Sequence, residues 1–335
     1  MSLISDILRY RSISFVGMEK NTGKTETLNY VLSSLYCKNL RIALTSVGVD
    51  GEKQDSIFAN SKPEITIYPQ TTFITAEKLY PLKQITASIQ GISDKHTALG
   101  RLIKAKAMNK GKVLLAGPSD TTWLKKIIDE LLQDNDLCLI DGALSRLSFG
   151  SPSITEAMIL STGTALSMSI NQIVKKTDFV FRMTLLQPVT KNLTCKLVNI
   201  KNGIYVIENN ENIIPLPIPS LLMLEKYKDI IFSKGKTLFI SGILTDSLIK
   251  FILTQPDISK IELIIKDFTK IFSSPANTDL FLQNGGKIKV LTPANLIAIT
   301  INPIAANGFK LNSTKLIDAL SNKINIPVYN VKEMN

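Results

Sequence analysis

The feature that most constrains the fold is the stretch from Ser14 to Leu32, which reads SFVGMEKNTGKTETLNYVL. An apolar run is followed by a loop with two glycines, by Gly-Lys-Thr, and then by apolar residues at helical spacing. This order predicts a strand, a tight loop and a helix, the arrangement in which backbone N–H groups wrap around phosphates. We therefore expect a parallel sheet covered by helices, with a nucleotide site at this loop.

The predicted nucleotide ligands are the residues of this loop and of the first turn of the helix: Gly17, Asn21, Thr22, Gly23, Lys24, Thr25 and Glu26. Lys24 fits the lysine that reaches the outer phosphates, and Thr25 fits the hydroxyl that binds Mg²⁺. The spacing departs from the common GxxxxGK[ST], because Met18 stands where the first glycine is usual and Gly17 precedes it. The alternative, a plain strand-turn-helix that contains GKT, is disfavoured by the flanking apolar pattern.

A second acidic anchor is predicted at Asp141, which follows four apolar residues in DLCLIDGALSR. An aspartate at the end of a buried strand matches the Walker B pattern, in which the carboxylate holds Mg²⁺ directly or through water. The alternative is an aspartate that caps the next helix. Other polar residues also follow predicted strands, and each is a candidate contact for phosphate or substrate, with a helix cap or a surface residue as the alternative: Ser119, Asp120 and Arg146.

Strand-like and helix-like segments alternate along the chain, which predicts an α/β fold with a mostly parallel sheet and helices on both faces. We expect a nucleotide-binding domain at 1–190 and a smaller Rossmann-like α/β domain at 191–335. Residues 98–107 and 155–160 are predicted to be helical. The strands predicted at 296–301 and 326–331 fall in the second domain. Three of its strand ends carry polar turns that could hold a ligand or serve as turns alone: 241–247, 266–270 and 300–309.

Composition excludes several classes of site. The single histidine, His96, lies in the polar stretch SDKHT, which argues against a Ser-His-Asp triad, and one histidine excludes a histidine-rich metal site. Three separated cysteines argue against a disulfide framework or a zinc site. The net charge is +11, but the lysines are scattered and no reading element for nucleic acid stands out. No stretch has the length of a membrane-spanning helix and no signal peptide is apparent, so we expect a cytoplasmic protein without a membrane partner.

The loop GMEKNTGKT resembles the longer G-x5-GKT form of dethiobiotin synthetase and its relatives, P-loop NTPases that include the nitrogenase iron protein. The resemblance covers about half of the chain. It implies that an acidic residue after the strand RIALTSVGV contacts Mg²⁺ or the attacking water. Asp50 is the candidate, with Glu52 as second choice, and the alternative is an aspartate in a turn before Gly51. The implied catalytic set is then Lys24, Asp50 and Asp141, and the implied metal ligands are Thr25, Asp50 and Asp141.

Four segments together, VGMEKNTGKTETLNYVL, TSVGVDGE, LIDGALSR and TINPIAANGF, also resemble one subunit of a reactivase from amino-acid fermenters. That family is associated with adenosylcobalamin-dependent lysine or ornithine aminomutases and with a MutS-like ATPase. The resemblance implies a protein that uses Mg²⁺ and a nucleotide to remodel its partner. ATP is expected rather than GTP because no NKxD motif stands out. Two alternatives stay open: a ligase or kinase that resembles dethiobiotin synthetase, and a non-catalytic nucleotide-binding module.

Overall fold

The computed structural model describes residues 2–48, 64–118, 120–143, 154–218, 224, 226–227, 231–233 and 235–334. Within them the chain forms two compact units. The first unit consists of Met1–Asp178 together with Asn295–Asn335, and the second is the intervening segment Phe179–Ala294.

The strands, in chain order, are β1 (Ser12–Gly17), β2 (Ile42–Ser46), β3 (Ile65–Ile67), β4 (Thr72–Ala76), β5 (Ala87–Thr97), β6 (Gly100–Ala107), β7 (Gly111–Val113), β8 (Leu137–Ala143), β9 (Ala157–Gly163), β10 (Ile204–Ile207), β11 (Ile213–Pro215), β12 (Thr237–Ile240), β13 (Glu262–Ile265), β14 (Lys287–Val290), β15 (Leu296–Asn302) and β16 (Val328–Tyr329). The α-helices are α1 (Leu3–Ile7), α2 (Lys24–Tyr36), α3 (Thr121–Asp134), α4 (Ile170–Thr184), α5 (Lys191–Leu197), α6 (Asp246–Leu253), α7 (Pro275–Gln283) and α8 (Ser313–Ser321).

The first unit is built on a nine-stranded sheet in the order β16-β15-β9-β1-β8-β2-β4-β6-β5. The strands from β16 to β4 run parallel, and β6 and β5 add an antiparallel hairpin at one edge. The short strands β3 and β7 form a separate antiparallel pair. The carboxyl ends of the parallel strands therefore meet at one edge, where ligands bind in sheets of this kind.

Burial explains why the central strands and their helices form. Every residue of β1 is buried, as expected for a strand covered on both faces. Helix α2 buries Leu28, Val31, Leu32 and Leu35, whose spacing places them on one side of the helix. These leucines pack in a core with Phe15 of β1, while α3 packs on the opposite face in a second core. The two cores hold the loop between β1 and α2 at the carboxyl edge of the sheet.

The second unit contains a five-stranded mixed sheet in the order β11-β10-β12-β13-β14. The strands β12, β13 and β14 are parallel, and β10 pairs antiparallel with both β11 and β12. The expectation of an α/β fold with a mostly parallel main sheet and a second, smaller sheet is confirmed.

The predicted helix at residues 98–107 is wrong, because most of this segment is strand β6. Leu102 and Ile103 suggested one face of a helix, but both are buried on opposite faces of the sheet, in different cores. A strand that is covered on both faces has apolar residues at consecutive positions instead of at every second one. Such a run cannot be told from the apolar face of a helix by its spacing. The predicted helix at residues 155–160 is wrong for the same reason, because the buried strand β9 begins at Ala157.

The strands predicted at residues 296–301 and 326–331 exist, but they lie in the first unit rather than in the predicted second domain. β15 pairs with β9 and β16 pairs with β15, so both extend the nine-stranded sheet. The chain thus returns to its first sheet after the second unit. Among the described residues, no helix is long and apolar enough to cross a membrane.

Candidate functional site

The loop that joins β1 to α2 folds back tightly on itself. The Thr22 hydroxyl donates a hydrogen bond to the Glu19 carbonyl oxygen (2.9 Å), and Thr22 is almost fully buried. A Cβ atom at Gly17 would lie 2.7 Å from the Thr22 hydroxyl oxygen and 3.5 Å from Lys24 Cβ. Gly17 is therefore needed because the loop passes directly over the end of the strand, which explains a glycine one position earlier than usual.

Two residues of the loop have left-handed backbone conformations. Asn21 has a φ of 64°, and Gly23, the residue at the N-terminus of α2, has a φ of 87°. Asparagine tolerates this region better than most residues, and glycine adopts it without steric cost. These conformations turn the chain abruptly into the helix, so the sequence Asn-Thr-Gly has a direct structural reason.

The N-terminus of α2 differs from those of the other helices for which the N-terminal cap is defined. Gly23 has no side chain, so no side-chain hydrogen bond caps the first-turn N–H groups of α2. A side chain accepts such a bond at the start of α1, α3, α5, α6, α7 and α8. The N–H groups and helix dipole of α2 therefore present positive partial charge toward the carboxyl edge of the sheet, as an anion site requires.

Lys24 and Asp141 meet at this edge. Lys24 Nζ lies 2.6 Å from Asp141 Oδ1, and the two side chains are 21% and 11% exposed. The distance makes an ion pair, so the Lys24 ammonium occupies the buried oxygen Oδ1 of Asp141. This carboxylate oxygen would suit a metal ion or its water ligand once Lys24 turned to a phosphate. The structure thus brings together Lys24 of α2 and Asp141 of β8, two residues that the sequence assigns to one nucleotide site.

The remaining predicted ligands of the loop fall on one contiguous segment. Thr25 is half-buried in the first turn of α2, and its hydroxyl makes no hydrogen bond to a described residue. Glu26 follows it and is exposed. Within the described chain there is no group of three histidine, cysteine or acidic side chains that could hold a metal ion. A Mg²⁺ ion at Thr25 and Asp141 would need phosphate oxygens and water to complete its octahedral coordination.

Polar residues of β15 and β9 support the loop and the first turns of α2, and the sequence did not indicate this role. The Asn302 side-chain amide at the end of β15 donates to the Asn21 carbonyl oxygen (2.9 Å). The Thr27 hydroxyl of α2 lies 2.9 Å from the Thr300 hydroxyl, which lies 2.8 Å from the Ser161 hydroxyl. The signal in the sequence was a polar residue within an otherwise apolar strand, but nothing local indicated that β15 lies beside β9.

The neighbouring strand ends close the edge on the side of Asp141. The Val47 amide, after β2, donates to the Asp141 carbonyl oxygen (3.0 Å), and the Gly48 amide donates to the Pro118 carbonyl oxygen (3.1 Å). Asp120 caps α3 by accepting a hydrogen bond from the Trp123 amide (2.7 Å). Several predicted residues lie outside the described part of the chain: Asp50, Glu52, Ser119 and Arg146.

The polar strand ends of the second unit have structural roles. Asp246 Oδ1 accepts hydrogen bonds from the Asn277 side chain (2.7 Å) and from the amide and hydroxyl of Ser274. These bonds, that of Asn277 first, lower the pKa of the Asp246 carboxyl below its usual range. Asp267 accepts from the Thr269 amide and hydroxyl and so closes a short 3₁₀ turn. These contacts account for both motifs as turn and cap chemistry.

Comparison with known proteins provides no family for this chain. No family model matches it, and no curated protein matches it significantly.

Proposed function

We propose that this chain binds a magnesium nucleotide at residues 17–25 and hydrolyses it, with ATP favoured over GTP. The observation that supports the proposal most is the pair of Lys24 and Asp141 at the start of a helix without a side-chain cap. A lysine, first-turn N–H groups without a side-chain cap and a buried carboxylate at the carboxyl edge of a parallel sheet together suit a phosphate chain and its metal ion.

The roles of the residues follow from their positions. The first-turn N–H groups of α2 and the Lys24 ammonium would bind phosphate oxygens, and Lys24 would exchange its contact with Asp141 for the β- and γ-phosphates. Thr25 and Asp141 would hold Mg²⁺, which when bound neutralises charge on the phosphates. Asp50 as the residue that orients the attacking water stays a prediction.

Hydrolysis assays with conservative variants test this proposal. Asp141→Asn keeps the size of the side chain but removes the charge, and Thr25→Ala removes the hydroxyl. We expect each to lower Mg²⁺-dependent turnover, by about a hundredfold for Asp141→Asn, because charge stabilisation is the main source of catalysis in phosphoryl transfer. Asp318→Asn, which removes the same charge at an exposed position of α8, is the matched control. Equal turnover in Asp141→Asn and Asp318→Asn would contradict the assignment.

The partner implied by the resemblance is an adenosylcobalamin-dependent lysine or ornithine aminomutase, with a MutS-like ATPase as the second component. We propose that nucleotide turnover drives remodelling of this partner. The test measures recovery of activity by an aminomutase inactivated during turnover, with both components and Mg-ATP. Recovery with wild type but not with Lys24→Ala is expected, and recovery that is independent of both nucleotide and this chain would contradict the proposal.

A second candidate function, a ligase or kinase, is favoured by one observation. An open cavity of about 550 Å³ is lined by Asp94, Lys95, His96, Thr97, Asp120 and Trp123. The cavity lies at the carboxyl edge of the sheet. Ala76, the last residue of β4, pairs with Leu102 near the start of β6, so the turn between β5 and β6 extends past the end of β4. A small-molecule acceptor there would stimulate nucleotide turnover, which a screen of carboxylic acids and amines would detect. Nucleotide binding without hydrolysis, with or without the partner, would instead indicate a non-catalytic module.

A further inference from the structure

Strand β5 lies at the edge of the nine-stranded sheet and has β6 as its neighbour on one side. It is eleven residues long, and no other described strand pairs with its outer side. Among the described residues no strand covers the outer side of β5, although the Ala87 carbonyl oxygen accepts a long bond from the Tyr80 hydroxyl (3.4 Å) and the Lys95 carbonyl oxygen accepts one from the Ser93 hydroxyl (2.7 Å). The backbone groups from Ser88 to Ile92 that point away from β6 are therefore the ones proposed to pair with an added strand. An exposed edge of this length can accept an extended peptide, which gains its affinity from main-chain hydrogen bonds.

One face of this edge is apolar. The register pairs Ile89 with Ala105 and Ile92 with Ile103, and these partners are buried in the core beneath α2. An irregularity after Ile89 keeps both isoleucines on the same face although they are three residues apart. Ile89 and Ile92 remain 49% and 47% exposed, so the apolar face continues from the core onto the edge strand β5 and is open there. A strand added beside β5 would bury its own apolar residues against them.

The opposite face is basic. The register places Lys106 opposite Ser88 and Lys104 opposite Gly91, on the face that α3 covers. Lys95 of β5 lies over the ring of Trp123 in α3, with its ammonium 5.6 Å from the ring centre. Residues 77–112 carry eight cationic side chains against two carboxylates, a net charge of +6 out of +11 for the whole chain. Two of these lysines are paired with carboxylates outside the segment, Lys104 with Asp134 (3.3 Å) and Lys112 with Glu64 (3.0 Å), so Lys95 and Lys106 are the cations proposed to attract a partner on this face.

The contacts of these cations argue against nucleic acid as the occupant. The only arginine of the segment, Arg101, is bound to Glu77 (2.8 Å). The faces of Tyr80, Tyr68 and Trp123 are each covered by a lysine, so they do not form a stacking platform for bases. A second copy of this edge is disfavoured because the two basic faces would repel each other.

We propose that β5 is a docking site for an acidic, extended segment of a partner protein, which adds to the sheet as a further strand. Such a segment would alternate apolar residues, placed beside Ile89 and Ile92, with acidic residues, placed near Lys95 and Lys106. The alternation follows from the two faces of the hairpin, and the negative charge follows from its net charge. The inference rests on the hairpin alone and does not depend on nucleotide binding.

The test uses the full chain and a capped peptide of alternating valine and glutamate, about as long as β5. A fluorophore on the peptide reports binding through its anisotropy, so that the readout is the same in wild type and in variants of Lys95. We expect saturable binding that weakens with added salt, and no binding of the matching valine–lysine peptide. The double variant Lys95→Glu with Lys106→Glu should bind at least about tenfold more weakly. The control Lys315→Glu with Lys323→Glu, which makes the same change in net charge at exposed positions, should bind as wild type does.

Backbone pairing is tested separately with N-methylated peptides. Methylation of one alternating set of peptide nitrogens should abolish binding, and methylation of the other set should leave it intact, because only one set faces β5. Equal binding by both methylated peptides would overturn strand addition, and equal binding by the two double variants would overturn the basic face as its determinant. Binding of single-stranded DNA that is lost in Lys95→Glu with Lys106→Glu, without peptide binding, would replace the proposal with a nucleic-acid site. Self-association that Ile92→Lys removes would replace it with a dimer contact.

Discussion

Asn302 gives the sharpest test of how the phosphate loop is held. Its amide donates to the Asn21 carbonyl oxygen (2.9 Å), and its Oδ1 accepts from the Ile304 amide (3.3 Å). Asn302 also packs against Gly23, since a Cβ atom added to Gly23 would lie 3.0 Å from Asn302 Cβ. One side chain from the end of β15 thus supports both left-handed residues of the loop, although the two segments are almost 300 residues apart in the sequence.

The variant Asn302→Ala removes both hydrogen bonds. A half-exposed hydrogen bond contributes at the low end of about 0.5–1.5 kcal/mol, so we expect the free energy of unfolding to fall by about 1 kcal/mol. About half of this energy belongs to the bond that holds Asn21 in its left-handed conformation, and the other half to the bond with Ile304. Nucleotide affinity should then fall about twofold, because a smaller fraction of the loop has the binding conformation.

Urea denaturation measures the first effect and calorimetric titration with Mg-ATP measures the second. Asn307→Ala is the matched control, because Asn307 is exposed in the loop that follows β15 and, among the described residues, accepts a hydrogen bond from the nearby Phe309 amide. If Asn302→Ala and Asn307→Ala have the same free energy of unfolding and the same affinity for Mg-ATP, Asn302 does not support the phosphate loop and the reasoning fails.

Three further predictions concern stability and reactivity. Gly117→Ala should destabilise the first unit by about 2–4 kcal/mol, because the added Cβ would overlap the Ser46 carbonyl oxygen. Gly91→Ala is the control and should be neutral, because the space around Gly91 is open. Similar midpoints of urea unfolding for the two variants would contradict this. Asp246→Asn should lower Tm at neutral pH. Since the pKa of Asp246 is lowered in the folded state, the stabilisation is present above the unfolded value and is lost as pH falls through the folded one, so a Tm gap that persists in acid would refute the assignment. Burial raises the pKa of the Cys138 thiol to about 12, so a thiol reagent at pH 8 should modify only the two exposed cysteines until the chain unfolds.

The loop region could be predicted closely because its signals are local. The stretch Ser14 to Leu32 predicts a strand, a tight loop and a helix in that order. The structure has them as β1 at Ser12–Gly17 and α2 at Lys24–Tyr36, with the loop between. Asp141 could be predicted for the same reason, because four apolar residues before an aspartate indicate a buried strand that ends at the carboxyl edge. At these positions the neighbouring residues in the sequence are enough to indicate why a glycine, a lysine or an aspartate is present.

The misplaced elements depend on contacts that sequence spacing does not contain. Residues 98–107 have helical spacing, yet they form β6 because β4 and β5 offer partners on both sides. β15 follows the second unit in the chain but pairs with β9, so its Thr300 and Asn302 support a loop at the other end of the sequence. Tertiary pairing overrides local preference at both places.

The central claim is that residues 17–25 bind a nucleotide, and calorimetric titration of ATP and GTP with Mg²⁺ tests it most directly. Wild type should bind, and Lys24→Ala should lose at least about a hundredfold in affinity because a partly buried ammonium that contacts phosphate is removed. Lys38→Ala, an exposed lysine just beyond the other end of α2, is the control and should bind as wild type does. Binding by wild type that Lys24→Ala retains, or no binding of either nucleotide by wild type, would contradict the account.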